Sequence, residues 1–250
     1  MELILIGGCQ VKEDSIAQIR VATYNIHHGV NQGDIYNLQG IAATLKNLDA
    51  DIIALQEVDQ GWGIRSNYDK QLDILAKELN MYSAFAPALD RKIGQYGLGV
   101  LSRFPISNIE TKYLSSTLEQ RVLLALEVKI NDITLNVYNT HLGLSTKDRQ
   151  AQIKDILNYI TMKAKSNPSL LMGDFNVNKG STELEPISQS FFEVEELSNK
   201  DIGETLIDQN LKVDNIYLST KMPIKALKTF SSSASDHYPV VVDLLILKEK

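Results

Sequence analysis

Cysteine is nearly missing from this chain. Cys9 is the only one, which excludes an intrachain disulfide and any cluster of thiolates around a metal. Tryptophan is as sparse, leaving Trp62 alone for stacking or wedging. No apolar run approaches the length that a bilayer demands of a helix. Positive charge is in deficit: the formal net charge is -6, so the body of the protein lacks the broad positive field that draws in nucleic acid or anionic lipid. A local basic strip is compatible with that total. Beyond residue 20 there is no low-complexity tract, internal repeat or Pro/Gly/Ser-rich linker, which predicts one domain over residues 20–250.

What is present is an ordinary globular composition. The 250 residues are 44% apolar and 22% charged, enough to bury a sizeable core in one large α/β domain. Residues 1–19 stand apart from it. The run LILI ends in Gly7, Gly8 and Cys9 ahead of a polar spacer, QVKEDSIAQ, a pattern similar to a bacterial lipoprotein processing site. Against that reading, the run is short and only Met1 and Glu2 precede it; the alternative is a frayed strand or helix stub. Both stay open, and with them a lipid-anchored extracytoplasmic and a cytoplasmic location.

IRVATYNI at 19–26 alternates as a half-buried strand does, and DIIALQEV at 51–58 reads as a more deeply buried one. Between them Leu38, Ile41, Ala42, Leu45 and Leu48 recur at helical spacing, which predicts strand, helix, strand. A helix over 70–79 aligns Leu72, Leu75, Ala76 and Leu79, and strands are expected near 82–86, 96–101, 106–114, 121–130 and 133–140. A second long helix starts at STKD, with Ser145 as N-cap and Asp148 completing a capping box. It carries Ile153, Ile156, Leu157 and Ile160 on one face and ends before Pro168. Strands near 169–173, 213–218, 223–230 and 239–246 follow. So many strands with few helices predict two sheets packed face to face with helices outside.

Polar residues of one kind sit where these apolar strands end. Asn25 closes VATYN, Glu57 closes IIALQE, His141 closes LNVYNTH, Asp174 and Asn176 follow SLLMG, and Asp236 and His237 precede the last strand. Strand ends hold side chains on a rigid scaffold while leaving them open to a cleft. Carboxylates with amide oxygens make a hard, oxygen-rich site suited to Mg²⁺ or Mn²⁺, with Glu57 and Asp236 as ligands. A zinc site is the weaker alternative, without cysteine partners or helix-spaced histidines. Two histidines and a further acid can then move protons or hold the charge that grows on phosphoryl oxygens. Each piece alone also reads as a solvated turn or strand end; their joint order is what carries the functional reading.

That ordered set, YNIHHG, LQEV, YGLGVLSRFPI, NTHLG, LLMGDFNV, KVDNIYLS and SDHYPVVV, resembles the endonuclease/exonuclease/phosphatase superfamily over residues 20–246. The resemblance implies a four-layer α/β sandwich, two stacked mixed β-sheets flanked by helices, with the site at one edge of the sheets. It also implies roles. Asn25 and Glu57 would help hold the metal, with Asp236 close to it. His237 would contact phosphate or act as base, oriented by Asp214, while Asp174 would activate or position water and Asn176 bind a phosphoryl oxygen. His141 would stabilise phosphate or assist the leaving group. Arg121 is a further phosphate contact or a surface strand arginine. The family's usual Arg-Ile-Asp run is Lys212-Val213-Asp214 here, so the planar fork of the arginine is lost. His27 either faces the cleft to meet substrate or packs beneath it.

Fold and metal site do not name a substrate. Loops dense in lysine and arginine are missing, as are the Trp-Leu-Gly-Asp-Leu-Asn and Pro-Ala-Trp-Cys-Asp-Arg runs of inositol phosphatases. EVDQGWGIRSNYDKQ, EQRVLLALEV and DRQAQIKDI look most like a bacterial branch of metal-dependent hydrolases, with Arg65 and Gln71 lining the pocket. The expectation is a monomeric metal-dependent phosphoesterase acting on a phosphodiester such as a lipid headgroup. The alternatives are a Mg²⁺-dependent DNA endo- or exonuclease and, in a different class, a catalytically dead binding module on the same fold.

Overall fold

A computed structural model describes residues 17–163, 167–207 and 209–246; Cys9 and the lipoprotein-like segment lie outside them. The strands run in chain order as Ala17–Asn25 (β1), Ile52–Gln60 (β2), Tyr82–Arg91 (β3), Gly94–Ser102 (β4), Ile106–Tyr113 (β5) and Val122–Ile130 (β6). They continue as Ile133–His141 (β7), Ser169–Asp174 (β8), Phe192–Glu193 (β9), Asp214–Leu218 (β10), Ile224–Thr229 (β11) and Val240–Ile246 (β12). The helices are Leu38–Leu48 (α1), Gln71–Leu79 (α2), Thr146–Lys163 (α3), Glu185–Ser188 (α4) and Val194–Ser198 (α5).

The strands form two six-stranded sheets, ordered β11-β12-β1-β2-β4-β3 and β5-β6-β7-β8-β10-β9. Each is mixed, with one parallel pair: β1 with β2 in the first, β7 with β8 in the second. Parallel neighbours need a crossover, and α1 and α3 supply the two crossovers. Burial follows the predicted periods. Val21, Ile52, Val100 and Val242 from the first sheet meet Leu124, Val137, Leu170 and Ile216 from the second in one apolar layer. The outer face of the first sheet packs Ala22, Ile53 and Leu55 against Ile41 and Leu45 of α1 and Leu72 and Leu75 of α2. The outer face of the second packs Leu123, Tyr138 and Leu171 against Ile153 and Ile156 of α3. Each fully buried Leu, Ile or Val contributes about 1.5–3 kcal/mol, which makes these three layers the main source of stability.

Two details correct the sequence reading. β3 extends to Arg91, five residues beyond the expected 86, and forms a hairpin with β4. Ser145 does cap α3, its Oγ accepting from Asp148 N at 3.1 Å, but the second half of the capping box is absent. The Asp148 carboxylate instead accepts from Thr117 N at 3.1 Å and Thr117 Oγ1 at 2.8 Å. That pins the loop before β6 to the start of α3.

Candidate active site

Both parallel pairs point their C-terminal ends the same way, and there the polar residues gather. β1 ends at Asn25 and β7 at His141; β8 ends at Asp174, whose cross-strand partners are His141 on one side and Asp214 on the other. Residues directly opposite in a sheet project from the same face, so register alone sets two acids and a histidine side by side. β8 reaches that position through Gly173 at φ +148°, where an added Cβ would lie 1.9 Å from the Thr140 carbonyl oxygen. Only glycine permits that approach.

On the first sheet, Glu57 departs from regular strand geometry. The β2–β4 register slips between Leu55 and Val58, and Glu57 takes φ +58°. A bulge of this kind re-aims a side chain, and here it turns the carboxylate into the cleft. His27, His28 and Gly29 follow β1 in a left-handed turn, with φ of 44°, 42° and 81°. The turn folds His28 back toward Glu57, Nδ1 to Oε2 at 3.5 Å, and His27 toward Asp236, Nδ1 to Oδ1 at 3.6 Å.

Asp174 is the hub. Its Oδ2 accepts from Asn25 Nδ2 at 3.0 Å and lies 3.5 Å from His141 Nε2 and 3.8 Å from His237 Nε2; its Oδ1 accepts from Asn176 N at 2.8 Å. Burial, followed by the charge of Asp214, raises its pKa. Asn25 Nδ2 also donates to Glu57 Oε1 at 3.1 Å, joining the two sheets' acids through one amide. Burial opposes ionisation of Glu57, but the His28 hydrogen bond and other favourable contacts, including that amide, hold its pKa well below the usual carboxylate range.

The histidines differ in state. Arg121 Nη1 stands 3.3 Å from His141 Nδ1, and a guanidinium only donates, so the proton of His141 sits on Nε2 facing Asp174. Burial, then Arg121, keeps His141 neutral. His237 Nδ1 lies 2.7 Å from Asp214 Oδ2. Burial disfavours its charge, yet Asp214 outweighs burial and raises the pKa to about 10. Asp214 thus favours the charged form of His237 in the metal-free protein.

A cleft of about 500 Å³ opens over this floor. His28, Glu57, His141, Asp174, Asn176 and His237 line it together with Trp62, Arg65, Arg91, Tyr96, Glu119 and Arg121. Asn25 and Asp214 sit beneath, buried, as supports. One predicted placement changes, that of Gln71, and two are made specific. Arg121 is no surface arginine: it is buried, and its Nε has no hydrogen-bond partner. Arg65 lines the cleft but is held by buried Asp59 through two bonds of 2.9 and 2.6 Å. Gln71 does not line the pocket; fully buried, it accepts from Asp59 N at 2.8 Å and donates to the His28 carbonyl at 2.6 Å, fixing the histidine turn from below. His28, not singled out by its sequence position, takes the wall facing Glu57.

The residues present fit a divalent cation. Asp174, Asp214 and His237 offer ligand atoms within 4.8 Å of one another, and Asp214 Oδ1 is a buried carboxylate oxygen without a hydrogen-bond partner. Glu57 adds a hard oxygen beside them, while Asn25 turns its Nδ2 to the acids and its Oδ1 accepts from His27 N at 3.0 Å. Asp236 stands a little apart, against His27 and Ser235.

This sandwich, with its acid, amide and histidine floor, is that of a superfamily that includes metal-dependent phosphoesterases and nucleases. The chain belongs to the Endonuclease/Exonuclease/phosphatase family, whose model matches residues 22–237. Members are generally divalent-metal dependent and typically hydrolyse phosphoester bonds. Uncharacterized protein YbhP of Escherichia coli (strain K12) is 29% identical over 173 residues, which is 63% of this chain and 66% of that relative's length. An endonuclease/exonuclease/phosphatase family protein from Leptotrichia buccalis is 21% identical with a TM-score of 0.76, covering 90% of this chain and 99% of its own. TDP2 from Caenorhabditis elegans is 18% identical with a TM-score of 0.72, covering 92% and 75%. At these identities the two solved structures establish the fold.

Proposed function

We propose that this protein is a metal-dependent phosphodiesterase whose water is activated at Asp174. The observation that carries the reading is the surround of that one carboxylate at the floor of an open cleft, with Asn25 Nδ2 and Asn176 N donating to it and the Nε2 atoms of His141 and His237 at 3.5 and 3.8 Å. A buried carboxylate with a raised pKa takes a proton more readily than an exposed one, which suits a base. The water oxygen attacks phosphorus as Asp174 accepts its proton, and the bond to the departing oxygen breaks. His237, its charged form favoured by Asp214, and His141, through Nε2–H, lie where they can hold the charge growing on phosphoryl oxygens. Asn176 presents its side chain beside the same cleft, and the orphan Nε of Arg121 is a further donor for phosphate. Glu57, which shares the Asn25 amide with Asp174, would hold a divalent cation, and that cation would supply neutralisation of the negative charge on the phosphate.

The test is turnover of bis-p-nitrophenyl phosphate, phospholipid diesters and supercoiled plasmid with Mg²⁺, with Mn²⁺ and with EDTA. Cleavage of a diester that EDTA abolishes and either metal restores is expected. Plasmid nicking in preference to the small and lipid diesters would instead favour the nuclease reading. Absence of metal-dependent turnover on every phosphoester would leave a binding module.

A further inference from the structure

Six isoleucines and leucines are exposed among the described residues: Ile35, Ile64, Ile93, Ile109, Leu118 and Leu144. Single exposed aliphatics are common and mean little, whereas several around one opening point to a binding surface. Four of the six stand around the cleft. Ile64 (83% exposed) precedes Arg65, Ile93 (67%) follows Arg91 by two residues, Leu118 (73%) precedes Glu119, and Leu144 (71%) lines the cleft itself. They come from four separate loops that are braced in pairs. The β3–β4 tip lies on the loop after β2, with Gly94 so close that a Cβ would sit 2.0 Å from the Gly61 carbonyl oxygen. The loop before β6 is tied to α3 through Thr117 and Asp148, and Arg149 Nη1 holds the Leu144 carbonyl at 2.7 Å.

Charge accompanies the apolar ring. Arg91 and Lys92 are exposed beside Ile93, and no carboxylate among the described residues pairs with either. The Arg91 guanidinium rests over the Trp62 ring, 3.9 Å from its centroid, and faces the cleft. Since the whole chain is acidic, this pair is a local feature set against the net charge of -6.

We propose that the mouth of the cleft is a docking rim for a phospholipid bilayer: Ile64, Ile93, Leu118 and Leu144 enter the interfacial region, Arg91 and Lys92 meet anionic headgroups, and the substrate is a phospholipid diester presented from the membrane. The proposal rests on the phosphoesterase reading for the identity of the scissile bond, while the docking itself does not. An amphiphile accounts for the arrangement because its phosphate enters a polar hole while its chains stay with an apolar surround. A protein partner seated on the same ring would cap the cleft against substrate. Branched aliphatics at loop tips beside basic residues bind lipid by apolar area plus attraction to anionic headgroups.

The experiment is co-sedimentation of the full-length protein with vesicles of phosphatidylcholine and phosphatidylglycerol in EDTA, where no turnover is needed. Wild type is compared with the triple variant Ile64→Ser, Ile93→Ser, Leu118→Ser, all three side chains being exposed. The LILI run of residues 3–6 is common to both proteins and cancels in the comparison. The expected result is vesicle binding by wild type and at least a ~10-fold weaker partition of the variant, with turnover of bis-p-nitrophenyl phosphate unchanged. Wild type left in the supernatant, equal sedimentation of both proteins, or binding by both that high salt alone abolishes would each overturn the rim. Vesicle binding without hydrolysis of any diester would instead spare the rim and remove the phosphoesterase reading.

Discussion

The two sheets contribute unlike halves to one site. From the first come Asn25, Glu57, His28 and Asp236, and apart from Asn25 these are partly open, with Glu57 and Asp236 side chains 21% and 42% exposed. From the second come His141, Asp174 and Asp214, with side-chain exposures of 7%, 2% and 0%, and His237 from the loop before β12 leans into this buried group at 6%. Exposure decides what each half can do. An open oxygen set can exchange water for a cation and substrate, while a buried set sharpens electrostatics and shifts protons. Asn25 spans the two, donating to an acid of each half.

Substitution should separate them. Asp174→Ala and His237→Ala are each expected to lower metal-dependent turnover at least ~10²-fold even at saturating metal, because they remove a base or a fixed charge. Glu57→Ala should cause a comparable loss at low metal, but one that a higher Mn²⁺ concentration partly reverses, with weaker Mn²⁺ binding by calorimetry. If titrating metal rescues Asp174→Ala and not Glu57→Ala, the division of labour is reversed. Retained activity in all three would sink the site.

Next in size is the support between the halves. Gln56 and Asn139, both fully buried, face each other across the sheets, Gln56 Nε2 donating to Asn139 Oδ1 at 2.7 Å and to Thr23 Oγ1 at 3.0 Å. Asn139 Nδ2 in turn donates to the carbonyls of Leu55 and Gly99 at 2.9 Å each. Gln56→Leu strands these groups and should lower the free energy of unfolding by about 1–3 kcal/mol in urea denaturation. A loss below that range would mean that the apolar layer alone sets how the sheets meet.

The His237–Asp214 pair gives a pH signature. The folded pKa is raised from 6.5 to about 10, so the pair's stabilisation is fully present below 6.5 and declines as pH climbs through about 10. In the metal-free protein Asp214→Asn should return the imidazole toward or below its ordinary value by NMR titration and flatten that alkaline loss. An imidazole that still titrates far above 6.5 in the variant would show another group holding its charge. At the small end, Lys46→Ala breaks an exposed pair with Glu78 and should change stability by less than ~1 kcal/mol, far from either half.

How much of this was legible varies residue by residue. Asn25, Glu57, His141, Asp174 and His237 were readable because their chemistry interrupts apolar strands at the ends, a pattern that one-dimensional periodicity exposes. Arg121 read equally well as a surface residue, because alternation along β6 does not reveal the neighbouring loop and the His141 ring that bury it. Gln56 and Asn139 were not legible as a pair: 83 residues separate them, and each alone is just a polar residue in a strand. His27 and His28 are adjacent and chemically identical, so only the left-handed turn could assign one to Asp236 and the other to Glu57.

The sequence by itself determined the strand and helix periods, the apolar layers and the inventory of acids, amides and histidines, since those follow from residue type and local spacing. Tertiary structure decided which acid is open and which is buried, and which neighbour each histidine faces. Those properties depend on desolvation and on neighbours far away in the chain, and neither exists until the two sheets close on each other.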